Sequence, residues 1–194
     1  MLSERFTEAL TYATCLHAKQ IRKGSGVPYI AHLLGVASIA LEYGAKEDEA
    51  IAALLHDAIE DQGGDVTRQE IRRRFGATVT EIVNGCTDSE TIPKPPWRER
   101  KEAYIAHIFS VSPSVLLVSS ADKLYNARSI LQDYRVVGEE IWQRFTGGKI
   151  GTLWYYRALV EAFRQVQLTP LVAELERVVV ELEQLVAVAN QVKS

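Results

Sequence analysis

Hydrophobic residues recur every three or four positions through most of the chain, which is the spacing of one buried face of an α-helix. In the first half, the predicted helices cover residues 6–20, 28 onward, 46–61, 67–76 and 77–86. In the second half, they cover residues 97–109, 113 onward, 139–145, 149–166 and 170 onward. No alternating pattern typical of a strand interrupts them. The sequence therefore predicts an all-α fold.

Residues that commonly begin helices support several of these boundaries. Thr67-Arg68-Gln69-Glu70 has the spacing of a capping box, in which two side chains satisfy backbone N–H groups at a helix start. Ser112-Pro113 and Thr169-Pro170 each place a hydroxyl N-cap before a proline at the first helical position. Three prolines exclude a helix interior from part of the stretch 87–96. We expect an irregular segment there, which could cover a site.

The last predicted helix carries a long apolar seam. Its members are spaced three or four residues apart and include Leu171, Leu175, Val178, Leu182 and Leu185. We therefore divide the chain into a domain of residues 1–166 and a C-terminal helix at 167–194. This helix is expected to pack either on the domain or on a second copy of the chain, so a homodimer is one expected arrangement.

Composition narrows the kind of protein further. At 194 residues and 47% hydrophobic content, the chain can bury a continuous core. Its net charge of −3 argues against a partner as large as a long nucleic acid. Basic residues nevertheless cluster at 22–23, 72–74 and 98–101. This distribution favours a small ligand that carries phosphate.

The two cysteines and the start of the chain bear on the compartment. Cys15 and Cys86 are too isolated for a disulfide framework, which favours a reducing environment. The first residues contain no apolar signal segment, and no run approaches the length of a membrane span. We therefore expect a cytoplasmic protein without a membrane partner.

The stretch from Leu54 to Asp61 carries the strongest candidate chemistry. On a helix, His56 lies one turn before Glu60, and Asp57 lies one turn before Asp61. An imidazole and a carboxylate suit a divalent metal ion, and the two acids one turn away could move protons beside it. The alternative is a helix whose polar edge simply faces water.

Two further residues are candidate ligands of the same ion. His32 lies in the first turn of a predicted helix, where the helix dipole favours the neutral imidazole that can bind a metal. Asp122 lies inside an apolar helix, where a carboxylate is costly unless something compensates it. A purely structural pairing of Asp122 with Lys123 or Arg128 is the alternative. Asn126 follows Asp122 by one helical turn.

Other candidates are assigned simpler roles. We expect His17 to be a core histidine or to support the site rather than to bind the metal, and His107 to be a surface or core residue. The charged run 98–101 is expected to be a solvated helix face. The aromatic stretch 153–156 has core spacing, although one of its rings could line a pocket for a base.

The order of these motifs resembles that of the HD-domain metal-dependent phosphohydrolases. The resemblance is strongest to the hydrolase domain of the RelA/SpoT alarmone enzymes, and in particular to the small stand-alone alarmone hydrolases. The matching segments are RK at 22–23, PYIxH at 28–32, HDxxED at 56–61 and ADKLYNAR at 121–128. Departures occur at Ser119-Ser120 and at 93–97, where the family pattern differs.

The resemblance implies an HD-domain helical bundle and a Mn²⁺-dependent enzyme. Such an enzyme would remove the 3′-pyrophosphate from ppGpp or pppGpp and release GDP or GTP. By motif position, the metal ligands would be His32, His56, Asp57 and Asp122. Glu60 and Asp61 would be the catalytic acids that act on the attacking water. The residues that would contact the nucleotide are Arg22, Lys23, Lys123 and Asn126.

Several alternatives stay open at this point. One divalent ion is expected, and the same ligands would suit Fe²⁺, Co²⁺ or Zn²⁺. Arg22 can stack on either purine, so the substrate could be ppApp instead of a guanine alarmone. Another HD phosphohydrolase, acting on a nucleoside monophosphate or NADPH, is the second hypothesis. A nucleotide sensor without catalytic activity is the third, which the presence of both Glu60 and Asp61 disfavours.

Overall fold

The computed structural model describes residues 1–88 and 93–191, and helices make up most of them. The α-helices, numbered in chain order, are α1 (Glu4–Leu16), α2 (Ile30–Glu42), α3 (Glu47–Leu55), α4 (Ala58–Asp61), α5 (Asp65–Phe75), α6 (Ala77–Cys86), α7 (Trp97–His107), α8 (Pro113–Val137), α9 (Gly148–Val166) and α10 (Pro170–Gln191). Two 3-10 helices cover Ile108–Ser110 and Gly138–Arg144. No strand forms within the described residues, and an isolated bridge pairs Ile21 with Pro28. The predicted all-α fold is confirmed.

Helices α3 and α8 form the centre of the bundle. Every residue from Ala50 to Leu55 is buried, because α3 is surrounded by α1, α2, α6 and α8. Helix α8 spans 25 residues and also contacts α9 and α10. Among its aliphatic residues it buries Ser119, Ser120 and Asp122. Because buried polar groups need partners, this part of α8 is where functional chemistry is expected.

The third predicted helix is interrupted, and the prediction of one helix over 46–61 is therefore wrong. Helix α3 ends at Leu55, a turn contains His56 and Asp57, and α4 begins at Ala58. Nδ1 of His56 lies 2.8 Å from the carbonyl oxygen of Ala53, which a continuous helix would use for its own backbone bond. The interruption places both candidate ligands at a helix junction.

The start of the fourth helix also differs from the prediction. Helix α5 begins at Asp65, after Gly64 with φ of +58°, so Thr67 is not its N-cap. The hydroxyl of Thr67 instead donates to the carbonyl of Gln62, at 2.5 Å. The predicted caps Ser112 and Thr169 are confirmed, since each accepts a hydrogen bond from a backbone N–H three residues later. Local spacing alone did not show the glycine turn that sets the start of α5.

The two ends of the chain pack on the central helices. Helix α1 is shorter than predicted, because it ends at Leu16 rather than at residue 20. The predicted helix at 139–145 is the 3-10 helix Gly138–Arg144. Helix α10 packs against α8 and α9 of its own chain, and the homodimer stays a prediction. Among the described residues, no helix is both long and apolar enough to cross a bilayer.

A close approach between α2 and α8 leads to the first prediction. A Cβ atom at Gly35 would lie 2.0 Å from the ring of Tyr125, which itself packs edge-on against His32. Overpacking a core usually costs about 1–3 kcal/mol, and an approach of 2.0 Å places this substitution at the upper end of that range. After the gain of about 1 kcal/mol in helix propensity is subtracted, we expect Gly35→Ala to lower the free energy of unfolding by about 2 kcal/mol. Chemical denaturation of both proteins measures the difference.

Ser38→Ala on the same helix is the matched control. Ser38 is exposed and donates a 3.4 Å hydrogen bond to Glu42, so its loss is expected to change stability by less than about 0.5 kcal/mol. A Gly35→Ala protein as stable as the wild type would show that Tyr125 can move without cost and would contradict this prediction.

Candidate metal centre

Four candidate ligand atoms converge where α2, the turn between α3 and α4, and α8 meet. The Nε2 atoms of His32 and His56 lie 3.2 Å apart. Oδ2 of Asp57 lies 3.4 Å from the first nitrogen and 3.0 Å from the second. Oδ1 of Asp122 lies 3.4 Å and 3.6 Å from the same two atoms. An octahedral ion held at about 2.1 Å separates neighbouring ligand atoms by about 3 Å, so His32, His56 and Asp57 fit one divalent ion. Asp122 lies close enough to both histidines to join them but stands farther from Asp57.

Hydrogen bonding and burial prepare the imidazoles to bind a cation. Nδ1 of His56 donates to the carbonyl of Ala53, which leaves the lone pair of Nε2 facing the other ligands. Burial lowers the pKa of His32 and keeps its imidazole neutral. The Nε2 atoms of the two histidines lie 3.2 Å apart, so a metal ion that replaces any proton at Nε2 of His56 could be shared by both rings.

The charges of the site have opposite effects on its acids and bases. Burial would lower the pKa of His56, but the adjacent Asp57 and Asp122 outweigh burial and raise it. Burial would raise the pKa of Asp57, but the charge of His56 outweighs it and lowers that pKa. The two carboxylates therefore require positive charge beside them, and a divalent ion would supply it.

Both carboxylates are held in place by neighbouring side chains. The hydroxyl of Tyr29 donates to Oδ2 of Asp57 at 2.6 Å. Lys123 Nζ donates to Oδ2 of Asp122 at 2.6 Å, and the Asn126 amide donates to its Oδ1 at 2.5 Å. The alternative pairing of Asp122 with Lys123 is thus present in the structure, and it leaves Oδ1 directed toward the histidines. Sequence analysis did not identify Tyr29.

Arg128, the other alternative partner of Asp122, lies elsewhere. Its guanidinium pairs with Glu174 of α10 at 3.1 Å. The charge of Asp122 is therefore balanced at short range by Lys123, whose ammonium also lies 4.7 Å from the centre of the Tyr104 ring. Lys123 was predicted to contact the nucleotide, and the structure places it as a partner of a candidate metal ligand.

A cavity of about 640 Å³ adjoins this cluster. Its described wall contains none of the four candidate ligands, but it includes Tyr29 and Asn126, which bond the two carboxylates. Predicted site residues in its wall are Arg22, Lys23, Asp61 and Asn126. The guanidinium of Arg22 donates to Asn126 Oδ1 at 3.0 Å and lies 5.4 Å from the centre of the Tyr125 ring. The structure therefore brings the loop before α2 and the polar face of α8 together in one pocket.

The two predicted catalytic acids have different surroundings. Asp61 lines the cavity, and its Oδ2 accepts a 2.7 Å hydrogen bond from Gln20. Desolvation at the cavity wall and the negative charge of Asp57 raise the pKa of Asp61. Glu60 is absent from the described wall of the cavity, and its carboxylate accepts from Lys94 at 2.6 Å and from the backbone N–H of Asp88 at 3.2 Å.

The structure adds cavity residues that sequence analysis missed. They come from α7 and from the end of the second 3-10 helix, and include Trp97, Lys101 and Arg144. Tyr155 of α9 lies in the same wall and belongs to the aromatic stretch 153–156, in which one ring was expected to line a pocket. The expectation of a solvated face at 98–101 is wrong for Arg100 and Lys101, which share Oδ2 of Asp88 at 2.7 Å and 2.8 Å and are only 17% and 18% exposed. The spacing of Trp97 and Lys101, one helical turn apart, was the available signal for this face.

Comparison with known proteins identifies the family of this fold. A family model described as the HD domain matches residues 9–153. The guanosine-3′,5′-bis(diphosphate) 3′-pyrophosphohydrolase MESH1 of Danio rerio is 41% identical over 126 residues, which cover 63% of this chain and 67% of the relative. The MESH1 protein of Homo sapiens is also 41% identical over 126 residues, covering 63% of this chain and 68% of its own.

A solved structure shows the same architecture. It is described as a metazoan ortholog of SpoT that hydrolyzes ppGpp and plays a role in starvation responses. It superposes with a TM-score of 0.75 over 92% of this chain and 95% of its own, at 24% sequence identity. The predicted HD-domain bundle is therefore confirmed. The chain belongs to the HD domain family and is homologous to hydrolases of the MESH1 and SpoT type.

Proposed function

We propose that this chain hydrolyses the 3′-pyrophosphate of guanosine 3′,5′-bis(diphosphate), releasing GDP and pyrophosphate, and that it converts pppGpp to GTP in the same way. The observation that carries the proposal is the convergence of two histidines and two aspartates beside a basic cavity. The 41% identity to a named 3′-pyrophosphohydrolase supports this choice of substrate.

The cavity offers cations to a ligand that has phosphates at more than one position. Arg22 and Lys23 come from the loop before α2, Lys101 comes from α7, and Arg144 comes from the end of a 3-10 helix. The rings of Trp97 and Tyr125 lie in the same wall and could stack on a base. Separate cations together with aromatic rings suit a nucleotide whose 3′ and 5′ positions both carry phosphate.

In the proposed mechanism, His32, His56, Asp57 and Asp122 would hold the divalent ion, which would make water more acidic and shield the charge of the phosphate. Water attacks the phosphorus bonded to the 3′ oxygen, and Asp61, whose pKa is already raised, takes its proton. The bond between that phosphorus and the 3′ oxygen breaks, and the 3′ oxygen takes a proton from solvent. Arg22 and Asn126, joined by a 3.0 Å hydrogen bond, orient the nucleotide.

Other residues position these groups. Tyr29 holds Asp57, and Lys123 holds Asp122, so that both ligand oxygens stay in place. Glu60 fixes the chain after α6 through the N–H of Asp88 and through Lys94. We also propose that Glu60 helps to order the attacking water, as its motif position implies.

The metal proposed is Mn²⁺, one ion per chain. Imidazole and carboxylate ligands do not distinguish it from Fe²⁺, Co²⁺ or Zn²⁺, so the choice follows the resemblance to the alarmone hydrolases. A cytoplasmic location and the role of residues 167–194 as a separate C-terminal element remain predictions.

A substrate panel tests the proposed reaction. Purified protein is incubated with ppGpp, pppGpp and ppApp, and with NADPH and a nucleoside monophosphate, each in Mn²⁺ and each after metal removal by EDTA. We expect pyrophosphate release from ppGpp and pppGpp that EDTA abolishes and Mn²⁺ restores. Chromatography that resolves every product measures the outcome.

Two results of the panel would contradict the proposal. Release of inorganic phosphate from NADPH or a monophosphate, without pyrophosphate from ppGpp, would assign the chain to another HD phosphohydrolase. Tight binding of ppGpp with no product in any metal would indicate a nucleotide sensor. A preference for ppApp would support the proposed reaction but would show that the base of the substrate is adenine.

Two substitutions are expected to separate metal binding from catalysis. Asp57→Ala removes a ligand, so both Mn²⁺ binding and turnover should be lost. Asp61→Ala removes only the proton acceptor, so Mn²⁺ binding should persist while kcat falls by about 10²–10⁴-fold, the usual contribution of a general base. Calorimetric titration with Mn²⁺ measures the binding, and the pyrophosphate assay measures kcat.

Asp65→Asn is the matched control for these variants. Asp65 is exposed on α5 and bonded to Arg68 and Gln69, so its substitution should leave both measurements unchanged. Glu60→Gln, tested beside it, shows whether Glu60 contributes to turnover. Full activity of Asp61→Ala would refute the assignment of Asp61 as the base.

A further inference from the structure

A chain of hydrogen bonds behind Asp61 connects it to a buried histidine. His17 Nδ1 lies 2.6 Å from Gln20 Oε1, and Gln20 Nε2 lies 2.7 Å from Asp61 Oδ2. The amide of Gln62 joins the same Gln20 oxygen at 2.5 Å. These contacts bring the end of α1 into the neighbourhood of the acid that the mechanism uses.

The surroundings of His17 determine which of its nitrogens carries the proton. The side chain is 2% exposed, and among the described residues its Nε2 has no hydrogen-bond partner. Buried N–H groups without a partner are rarer in proteins than buried acceptors without one, so we place the proton on Nδ1. His17 therefore donates to Gln20 Oε1. Its ring also stacks on Tyr29, with centroids 5.4 Å apart and planes 19° apart.

Gln20 is fixed both at its backbone and at its amide. Its N–H donates to the carbonyl of His17 at 2.9 Å, and its own carbonyl accepts from Tyr29 at 2.9 Å. Because His17 and Gln62 both donate to Oε1, the NH₂ group of Gln20 must face Asp61. The orientation of the amide is thus determined by its neighbours.

We propose that Gln20 is a positioning residue that holds the carboxylate of Asp61 toward the cavity, and that His17 holds Gln20 in the required orientation. The inference rests on the proposed role of Asp61 in hydrolysis. A hydrogen bond from a neutral amide keeps the acceptor oxygen in place without adding a cation that would compete for the phosphate. His17 also stacks on Tyr29, which bonds the candidate metal ligand Asp57, so one histidine supports both groups.

Gln20→Leu removes the donor while keeping a side chain of similar size. We expect kcat for pyrophosphate release to fall about 10–100-fold, as is typical when the partner of an active-site group is lost. KM should change by less than about threefold, because Gln20 acts on Asp61 rather than on the nucleotide. Gln20→Glu, which replaces the donor with a second carboxylate, should be at least as impaired. Mn²⁺ binding by calorimetry should be unchanged in both.

A double-mutant cycle distinguishes positioning from a structural role. In the Asp61→Ala background, Gln20→Leu should lower kcat by less than about twofold, since its target is gone. An equal loss in both backgrounds would overturn the proposal, because it would show that Gln20 acts independently of Asp61. A loss confined to KM would overturn it as well.

A crystal structure measures the position of Asp61 independently of turnover. In a crystal structure of Gln20→Leu, the Asp61 carboxylate is expected to leave the place it has in the wild type, whereas an unchanged carboxylate overturns the inference. This measurement decides the matter even if the wild type fails to hydrolyse ppGpp, a result that would refute the proposed function instead.

Two further variants complete the experiment. His17→Phe keeps a ring that can stack on Tyr29 but loses the donor to Gln20, so a smaller fall in kcat in the same direction is expected. Gln69→Leu makes the same exchange at an exposed glutamine of α5 that bonds Asp65, and it should leave kcat and the position of Asp61 unchanged. A His17→Phe enzyme with the kcat of the wild type would remove His17 from the proposal.

Discussion

The arrangement of this protein depends on one requirement: the negative charges of two carboxylates inside an apolar helical bundle must be compensated. Asp57 and Asp122 face one another across the Nε2 atoms of two buried histidines. Removing such charges from water is costly unless cations and hydrogen-bond donors compensate them. Lys123, Tyr29 and the imidazoles supply part of that compensation, and a divalent ion would supply the rest. The polar stretch of α8 and the junction after α3 carry the residues that meet this requirement.

The adjacent residues His56 and Asp57 both contribute to the candidate metal centre. Both keep helical backbone angles at the junction of α3 and α4, and Nε2 of His56 lies 3.0 Å from Oδ2 of Asp57. The buried α3 segment before the turn anchors one side of the site, and α4 then carries Asp61 back toward the cavity.

Sequence analysis identified features that depend on local motifs, but it missed residues that only distant contacts bring to the site. Helical periodicity predicted the all-α fold, and motif order brought together His32, His56, Asp57 and Asp122. The capping-box reading at Thr67 was wrong because the positive φ of Gly64 starts the helix earlier. The cavity residues of α7 could not be assigned, because a charged run does not show which of its faces meets a ligand. Tyr29 lies within the PYIxH motif, but the motif did not show that its hydroxyl bonds Asp57.

The candidate metal ligands and the cavity residues contribute to the proposed chemistry in different ways. The candidate ligands lie on buried helices and a helix junction, where packing allows little movement, and they determine which kind of bond can be broken. The cavity proposed to bind the nucleotide is assembled from a loop, α7 and a 3-10 helix, which contribute Arg22, Lys101 and Arg144. Changes in these segments can alter the base or phosphates that fit without disturbing the metal ligands. In the proposed function, selection of the substrate therefore depends on segments other than those that hold the ion.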